Sequence, residues 1–400
     1  MAHPVAPRLS IRDLGLSGKR LFLRVDHNVP MKDGVITDDT RIRETLPTIR
    51  LALEAGAAVI LASHLGRPKG GPDSKTSLRP VATRLGELLG GEVRLAPDCI
   101  GPETLGMARA LAQGHLLMLE NLRWHAAEQA GDAAFADQLA ALANEYANDA
   151  FGTCHRADAS VALVPTRFSR PAAGLLIERE LKALGRLLTD PARPFVAVIG
   201  GAKVSDKLPV MRGLLPEVDA ILVGGAMAYT FMLARGVGVG NSRTEPDLLD
   251  AVRALDADAL ASGKRILLPT DHVVAPGITP ADVGGASVHD GGIVEGMGVD
   301  IGPATRAAFA RDIASARSIL WNGPMGVFEV DAFAEGTAAV ARAVASSPAY
   351  SVVGGGDSIA ALNAAGLASR VGHVSTGGGA LLELLAGEPM PGLAALAPQT

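Results

Sequence analysis

Cysteine is scarce. Cys99 and Cys154 are the only two in 400 residues, too few for a disulfide framework or a four-cysteine zinc site, and a reducing compartment suits them. Long apolar runs are missing too. Stretches such as Ala57 to Ala62 are short and strand-like, far below the roughly 18 consecutive apolar residues a membrane helix requires. The opening residues Met1 to Ser10 carry His3, Pro4, Pro7 and Arg8 with no apolar segment behind them, so neither a signal peptide nor an anchor is expected. Charge of one sign is also lacking: 37 Lys+Arg against 42 Asp+Glu leave a net charge of −5, which argues against coating nucleic acid or anionic membrane by bulk positive charge. The expectation is a soluble cytoplasmic protein.

Three nucleotide signatures are absent as well. No Gly-x-x-x-x-Gly-Lys-Ser/Thr string occurs, which excludes a P-loop NTPase. Gly236, Gly238 and Gly240 lack a third glycine at the spacing of a dinucleotide fingerprint. His155-Arg156-Ala157-Asp158 interrupts His-Arg-Asp, and no Asp-Phe-Gly follows, which excludes a protein kinase.

What is present is repetition. The chain is 48% hydrophobic and exceeds the size at which one core usually splits, so two domains are the default. Short Val/Ile/Leu runs alternate with Ala/Leu/Arg/Glu stretches of helical period, the pattern of βα units around parallel sheets. The strands predicted in the first half are Arg20 to Val25, Ala57 to Ala62, Glu92 to Leu95, Leu116 to Leu119 and Glu145 to Asn148. In the second half they are Phe195 to Ile199, Ala220 to Val223, Arg265 to Leu268, Ser318 to Trp321 and Tyr350 to Val353. The expected fold is α/β, with two doubly wound parallel-sheet (Rossmann-like) lobes joined by a helical hinge. We place the boundary in Glu178 to Leu188, ahead of Asp190-Pro191-Ala192-Arg193-Pro194, where the prolines end a helix. The lobes are then 1–185 and 186–387, with a tail over 388–400. Residues up to 185 hold 22 basic and 21 acidic residues, net +1; the remainder holds 15 and 21, net −6.

In the first lobe, strand after strand ends in a polar and cationic cluster: Arg24-Val25-Asp26-His27-Asn28, Ser63-His64-Leu65-Gly66-Arg67, Glu120-Asn121-Leu122-Arg123 and Cys154-His155-Arg156, with Arg41 after the polar loop Asp38-Asp39-Thr40. Any one of these reads as an ordinary strand exit. Convergence of Arg41, His64, Arg67, Arg123 and Arg156 would make a pocket for phosphate and carboxylate, because guanidinium forks match those groups bidentately.

The second lobe ends its strands in glycine. Gly200-Gly201-Ala202-Lys203 leads to Lys207 four residues on, Gly224-Gly225 and Asn322-Gly323-Pro324 follow two further strands, and Gly354-Gly355-Gly356-Asp357-Ser358 opens a helix. Ser375-Thr376-Gly377-Gly378-Gly379 opens another. Glycine lets backbone approach phosphate, and amides at a helix start favour anions. Asp357 reads equally as an N-cap and as a carboxylate placed to hold Mg²⁺.

Taken together, these segments resemble the phosphoglycerate kinase family, in order from about Leu9 to about Leu396. The resemblance rests on Arg24 to Pro30, Ser63 to Pro68, Leu119 to Arg123, Ala150 to Arg156, Gly200 to Lys207, Trp321 to Glu329, Gly354 to Asp357 and Ser375 to Leu385. It implies a monomeric hinge-bending enzyme moving a phosphoryl group between 1,3-bisphosphoglycerate and ADP with Mg²⁺, giving 3-phosphoglycerate and ATP. By that likeness the first lobe holds phosphoglycerate through Asp26, Asn28, Arg41, His64, Arg67, Arg123 and Arg156. The second holds nucleotide. Gly201, Gly225, Gly298 and Pro324 line it, Glu329 meets the ribose, and Lys207, Asn322, Gly354, Gly355, Gly356 and Ser358 face phosphates. Asp357 takes the metal. Lys203 is the expected catalytic lysine, aided by Arg41 and the amides of Gly378 and Gly379, and the hinge candidates are Glu178 to Leu188 and Ser375 to Gly379. The family's tail packs back on the first lobe, which assigns Glu388 to Thr400 there.

Five positions depart from the family's habit: His27 for an aromatic residue, Cys154 for alanine, Asp158 for a second histidine, Ala226 for a third glycine and Ser358 for threonine. None removes an expected catalytic group. The competing reading is a catalytically silent phosphometabolite or nucleotide binder on the same fold.

Overall fold

The apolar runs form strands with both faces covered. Ala58–Ala62 and Phe195–Ile199 are buried along their whole length, as expected of parallel sheets flanked by helices on either side. The structure, a computed structural model, describes residues 5–399; the first four residues of Met1 to Ser10 and the last of the tail lie outside it. The chain divides into two units, residues up to 182 with 389 onward, and residues 183–388. The division falls within helix Leu175–Leu188. Backbone hydrogen bonds tie the tail into the first unit, with Leu9 N donating to Ala397 O at 2.8 Å and Gly392 N to Cys154 O at 2.9 Å.

The first unit holds a six-stranded parallel sheet in the order Arg94–Leu95, Leu116–Met118, Ala58–Ala62, Arg20–Arg24, Glu145–Asn148, Ala172–Ala173. The chain starts at a central strand, winds outward on one side, then returns to build the other. This leaves a switch point between Arg20–Arg24 and Glu145–Asn148, and ligands of open α/β sheets gather outside the carboxyl ends of strands at such points. Asp26, His27 and Asn28 leave one of these strands, and Asp149 leaves the other.

The second unit repeats the plan. Its parallel sheet runs Arg265–Leu267, Ala220–Val223, Phe195–Ile199, Ser318–Asn322, Tyr350–Gly354, His373–Val374. The switch point lies between Phe195–Ile199 and Ser318–Asn322, where Gly200 and Gly323 emerge. Two strands run one residue beyond the sequence reading, because Asn322 pairs with Gly354.

The edge strand His373–Val374 and one larger feature of the second unit lay outside the sequence reading. Asp271–Ala275 pairs antiparallel with Ser287–Asp290 and Met297–Ile301 in a separate three-stranded sheet. Its signal is weak because Ser287–Asp290 is exposed throughout and the pairing slips between Val273 and Val274. Among the described residues no helix is long and apolar enough to cross a membrane.

Candidate active site

In the first unit the strand-end side chains meet. Arg41 Nη1 donates to Asp26 Oδ2 at 2.8 Å and to the Asn28 carbonyl at 3.4 Å, while Asn28 Oδ1 accepts from Gly66 N at 2.8 Å. His64 Nδ1 lies 3.9 Å from Asp26 Oδ1. Arg123 donates to Gly66 O at 3.1 Å and stands 3.6 Å from Asp158. Arg156 Nε donates to His155 Nε2 at 3.2 Å. Asp26, Asn28, Arg41, His64, Arg123 and Arg156 are thus gathered around the carboxyl ends of neighbouring strands. Arg67 is exposed and makes no hydrogen bond or ion pair with them.

Arg24 organises this cluster. It is fully buried at the end of the central strand, donating from Nε to Ser160 Oγ at 2.8 Å and from Nη2 to His64 Nδ1 at 3.2 Å. Ser160 in turn donates to the buried Glu128 at 2.5 Å. A guanidinium only donates, so His64 Nδ1 accepts and its proton resides on Nε2. Burial, then Arg24, Arg123, Arg156 and Arg41, hold the imidazole well below its ordinary pKa, so it is neutral at physiological pH. That Nε2–H has no partner, nor have the buried atoms Arg123 Nε and Arg156 Nη1. Unmet buried donors are costly, and three in one cationic cluster make a ready seat for anionic oxygens.

His27 has a different task. It is fully buried, with Nε2 2.8 Å from Thr45 Oγ1 and its backbone N–H on Ser63 Oγ. Burial and then Arg24 push its pKa down to about 3, so it adds no charge there at neutral pH. Cys154 is buried beneath the tail.

The second unit builds its site from backbone. A Cβ on Gly200 would stand 2.1 Å from Pro324 O, one on Gly323 2.1 Å from Gly200 O, and one on Gly225 2.6 Å from Gly201 O. The loops leaving three strands therefore touch through positions without side chains. Beside them lies a cavity of about 380 Å³ lined by Gly201, Gly225, Ala226, Gly298, Pro324, Glu329 and Asp357, among others. Gly298 is a glycine because Tyr229 occupies the space of its Cβ.

Beside Asp357, behind the lining of this cavity, polar groups collect. Lys207 Nζ donates to Asn322 Oδ1, Asn322 Nδ2 is buried without a partner, and Ser358 Oγ accepts from Gly323 N at 2.7 Å. Burial holds Lys207 below the ordinary lysine range against the pull of Asp206 and Asp357. Asp357 is exposed, in the first turn of helix Gly356–Ala364, and raised by burial and then by Glu329. Gly354 and Gly355 pack against Leu381 and Asn322. Lys203 is exposed and, like Gly378 and Gly379, does not line the cavity; Gly378 needs glycine for its φ of +52°.

Several supporting residues escaped the sequence reading. Glu245 accepts from Val204 N at 2.5 Å and Ser205 N at 3.1 Å, fixing the turn between the two lysines. Asp300, 2% exposed in the cavity wall, accepts from Gly336 N at 2.6 Å and Ile301 N at 2.9 Å, and burial raises it to about 7. Each is an isolated carboxylate in sequence, with no neighbouring motif to mark it. Glu128 was not singled out in the sequence, and Arg24 stood there only as the first residue of a strand-end cluster; the fold buries both completely.

The family model described as phosphoglycerate kinase matches residues 11–388. The chain belongs to the phosphoglycerate kinase family. It is 53% identical to a phosphoglycerate kinase of Koribacter versatilis, over 97% of this chain and 99% of that one, and 50% identical to one of Moorella thermoacetica, over 97% and 99%. The solved phosphoglycerate kinase of Coxiella burnetii superposes with a TM-score of 0.89 at 41% identity, covering 97% of this chain and 98% of its own. That of Pyrococcus horikoshii superposes with 0.83 at 35% identity and the same coverage. The fold is therefore that of the phosphoglycerate kinases, two parallel-sheet lobes of α/β type. The reading as a phosphotransferase of this kind stands, and the silent binding protein is not favoured.

Proposed function

We propose that this chain transfers a phosphoryl group reversibly from 1,3-bisphosphoglycerate to ADP, giving 3-phosphoglycerate and ATP. The observation that carries the reading is the set of unpartnered buried donors, His64 Nε2, Arg123 Nε and Arg156 Nη1, beside the Arg41–Asp26 pair. Such a set suits a small phosphate- and carboxylate-bearing anion. Asp26 and Asn28 orient Arg41, and Arg67 closes on the anion from its exposed loop.

In the second unit the glycine-walled cavity takes the nucleotide. Gly201, Gly225, Gly298 and Pro324 receive the base, Glu329 the ribose, and Lys207, Asn322, Ser358 and the amides of Gly354 to Gly356 the phosphates. Asp357 fits a divalent cation: its carboxylate makes no hydrogen bond or salt bridge among the described residues, and Glu329 stands near enough to raise it. Mg²⁺ held there would neutralise nucleotide phosphate charge.

Transfer of this kind needs positioning and charge neutralisation more than covalent help. Lys203, Arg41 and the amides of Gly378 and Gly379 supply that charge to the moving phosphoryl; the acceptor is the ionised β-phosphate of ADP in this direction and the 3-phosphoglycerate carboxylate, ionised at neutral pH, in reverse, and neither needs a base. Because the two substrates bind different units, turnover requires a hinge motion, with 178–188 and 375–379 as the hinges. Closure also excludes water from a hydrolysable acyl phosphate. The enzyme acts as a cytoplasmic monomer, a setting that two buried free thiols suit.

The test is phosphorus NMR with Mg·ATP and 3-phosphoglycerate, coupled to glyceraldehyde-phosphate dehydrogenase and NADH. ADP formation and NADH oxidation that both require 3-phosphoglycerate are expected. Binding of both ligands without turnover would transfer the argument to the silent binding protein.

A further inference from the structure

The cavity of the second unit carries one cation. Among its lining residues are the carboxylates of Asp300, Glu329 and Asp357, and Arg243 is the only lysine or arginine. Its guanidinium is exposed and makes no hydrogen bond or ion pair among the described residues. The backbone on either side of it is nonetheless pinned. Asn241 N donates to Gly296 O at 2.7 Å, Ser242 Oγ accepts from Gly298 N at 2.9 Å, and Glu245 N donates to Thr230 Oγ1 at 3.1 Å. Arg243 thus projects from a fixed turn.

Its place in the cavity is informative. Asp357 of the lining stands beside Lys207, which bonds Asn322, the groups read above as facing phosphates; Arg243 instead leaves a turn held by Ser242 to Gly298, whose Cβ position Tyr229 fills, and by Glu245 to Val204 and Ser205. A nucleotide with its phosphates beside the former presents its base to the latter. Both purines offer an N7 acceptor on the edge away from the sugar. Guanine and hypoxanthine add the O6 acceptor beside it, whereas adenine presents an amino donor. A guanidinium donates only, through a planar fork. It can therefore engage N7 and O6 together on a 6-oxopurine and only N7 on adenine.

We propose that Arg243 is a specificity-determining residue that reads the base and shifts this site toward 6-oxopurine nucleoside diphosphates, so that guanosine and inosine diphosphates are used at least as well as ADP. The inference rests on the nucleotide reading of the cavity given above.

The test compares kcat/KM for ADP, GDP and IDP in the full-length enzyme, in Arg243→Leu and Arg243→Lys, and in Glu329→Ala. The GDP:ADP and IDP:ADP ratios should fall about tenfold in Arg243→Leu, the effect of losing a bidentate base contact at a solvent-exposed rim. Arg243→Lys, which keeps the charge and loses the fork, should also lower them. Unchanged ratios in Arg243→Leu overturn the proposal, and so does an equal loss for all three nucleotides, which would place the guanidinium on phosphate or ribose. Glu329→Ala separates the two levels of the argument. If it raises KM for every nucleotide while Arg243→Leu leaves the ratios alone, the cavity binds nucleotide and only the role of Arg243 fails. If neither variant changes any nucleotide constant, the nucleotide reading of the cavity fails with it.

Discussion

The two units build their candidate sites at the switch point of a parallel sheet from opposite materials. The first uses side chains that are buried, hydrogen-bonded and positively charged, arranged around Arg24 and His64. The second uses their absence, packing Gly200, Gly225 and Gly323 until loops touch and a cavity remains beside them. A compact, highly charged ligand is best met by converging cations. The glycine-walled cavity offers room and backbone groups instead, with Arg243 as its one cation. The difference predicts where each unit is fragile: the first to loss of charge, the second to gain of volume.

The largest expected effect falls on the first unit. Arg24→Met would leave Ser160 Oγ and His64 Nδ1 without their buried donor, and each buried group left unmet costs about 1–3 kcal/mol. The two tryptophans make the comparison direct, because Trp124 lies in the first unit and Trp321 in the second. Urea unfolding followed by fluorescence, in Trp321→Phe and Trp124→Phe backgrounds, should show the loss through Trp124 and little change through Trp321. Equal shifts would mean that the units unfold as one and that the contrast has no thermodynamic reality.

Lys203→Ala comes next and touches rate rather than stability. Removing a charge that acts only in the transition state commonly costs about 10² to 10³ in kcat, and because Lys203 is exposed its truncation leaves the packing of the fold unchanged. A loss of less than about tenfold in steady-state kcat would take Lys203 out of the mechanism.

Gly225→Ala tests gain of volume. The added methyl meets Gly201 O at 2.6 Å on a backbone with φ of +70°, a strain of about 1–3 kcal/mol. The nucleotide KM should rise at least about tenfold by shifting the loops that wall the cavity. Gly356→Ala is the contrast, since nothing lies within 4 Å of its Cβ position and the residue begins a helix. There stability should hold or rise by up to about 1 kcal/mol. Similar destabilisation at both positions by thermal denaturation would contradict the packing account.

The same asymmetry explains what was legible in sequence. Asp26, Asn28, His64, Arg123 and Arg156 announce themselves, because polar and cationic residues follow apolar runs at strand ends, whereas Arg41 stood out only as a cation after a polar loop and lies in helix Thr40–Glu54. The glycine clusters gave the place of the second site but little of its shape, since what Gly200 and Gly323 do depends on each other across 123 residues of chain. Glu128 and Asp300, and the buried role of Arg24, were illegible for a different reason. Their importance arises from burial, and burial of a lone charged residue follows from tertiary packing that no local period encodes. The antiparallel strands near Asp271–Ala275 were lost to short length and an exposed partner.

The remaining effects concern protons, spread over several pH units, and they distinguish the units by sign. His27 is held neutral down to about pH 3 in the folded chain, against an ordinary value of 6.5. Between those limits the unfolded chain binds a proton that the folded chain does not, so this group makes stability rise with pH by up to about 1.4 kcal/mol per unit. Asp300 acts in reverse. Its folded value of about 7 lies above the ordinary 3.8, so the folded chain holds the extra proton and this group makes stability fall as pH rises across that window. His27→Phe should therefore flatten the pH dependence reported by Trp124 between about pH 3 and 6.5. Asp300→Asn should steepen the rise reported by Trp321 between about pH 4 and 7. Urea midpoints collected at half-unit intervals would read both slopes. A change of the same sign in the two variants would show that burial is not what sets these two groups apart.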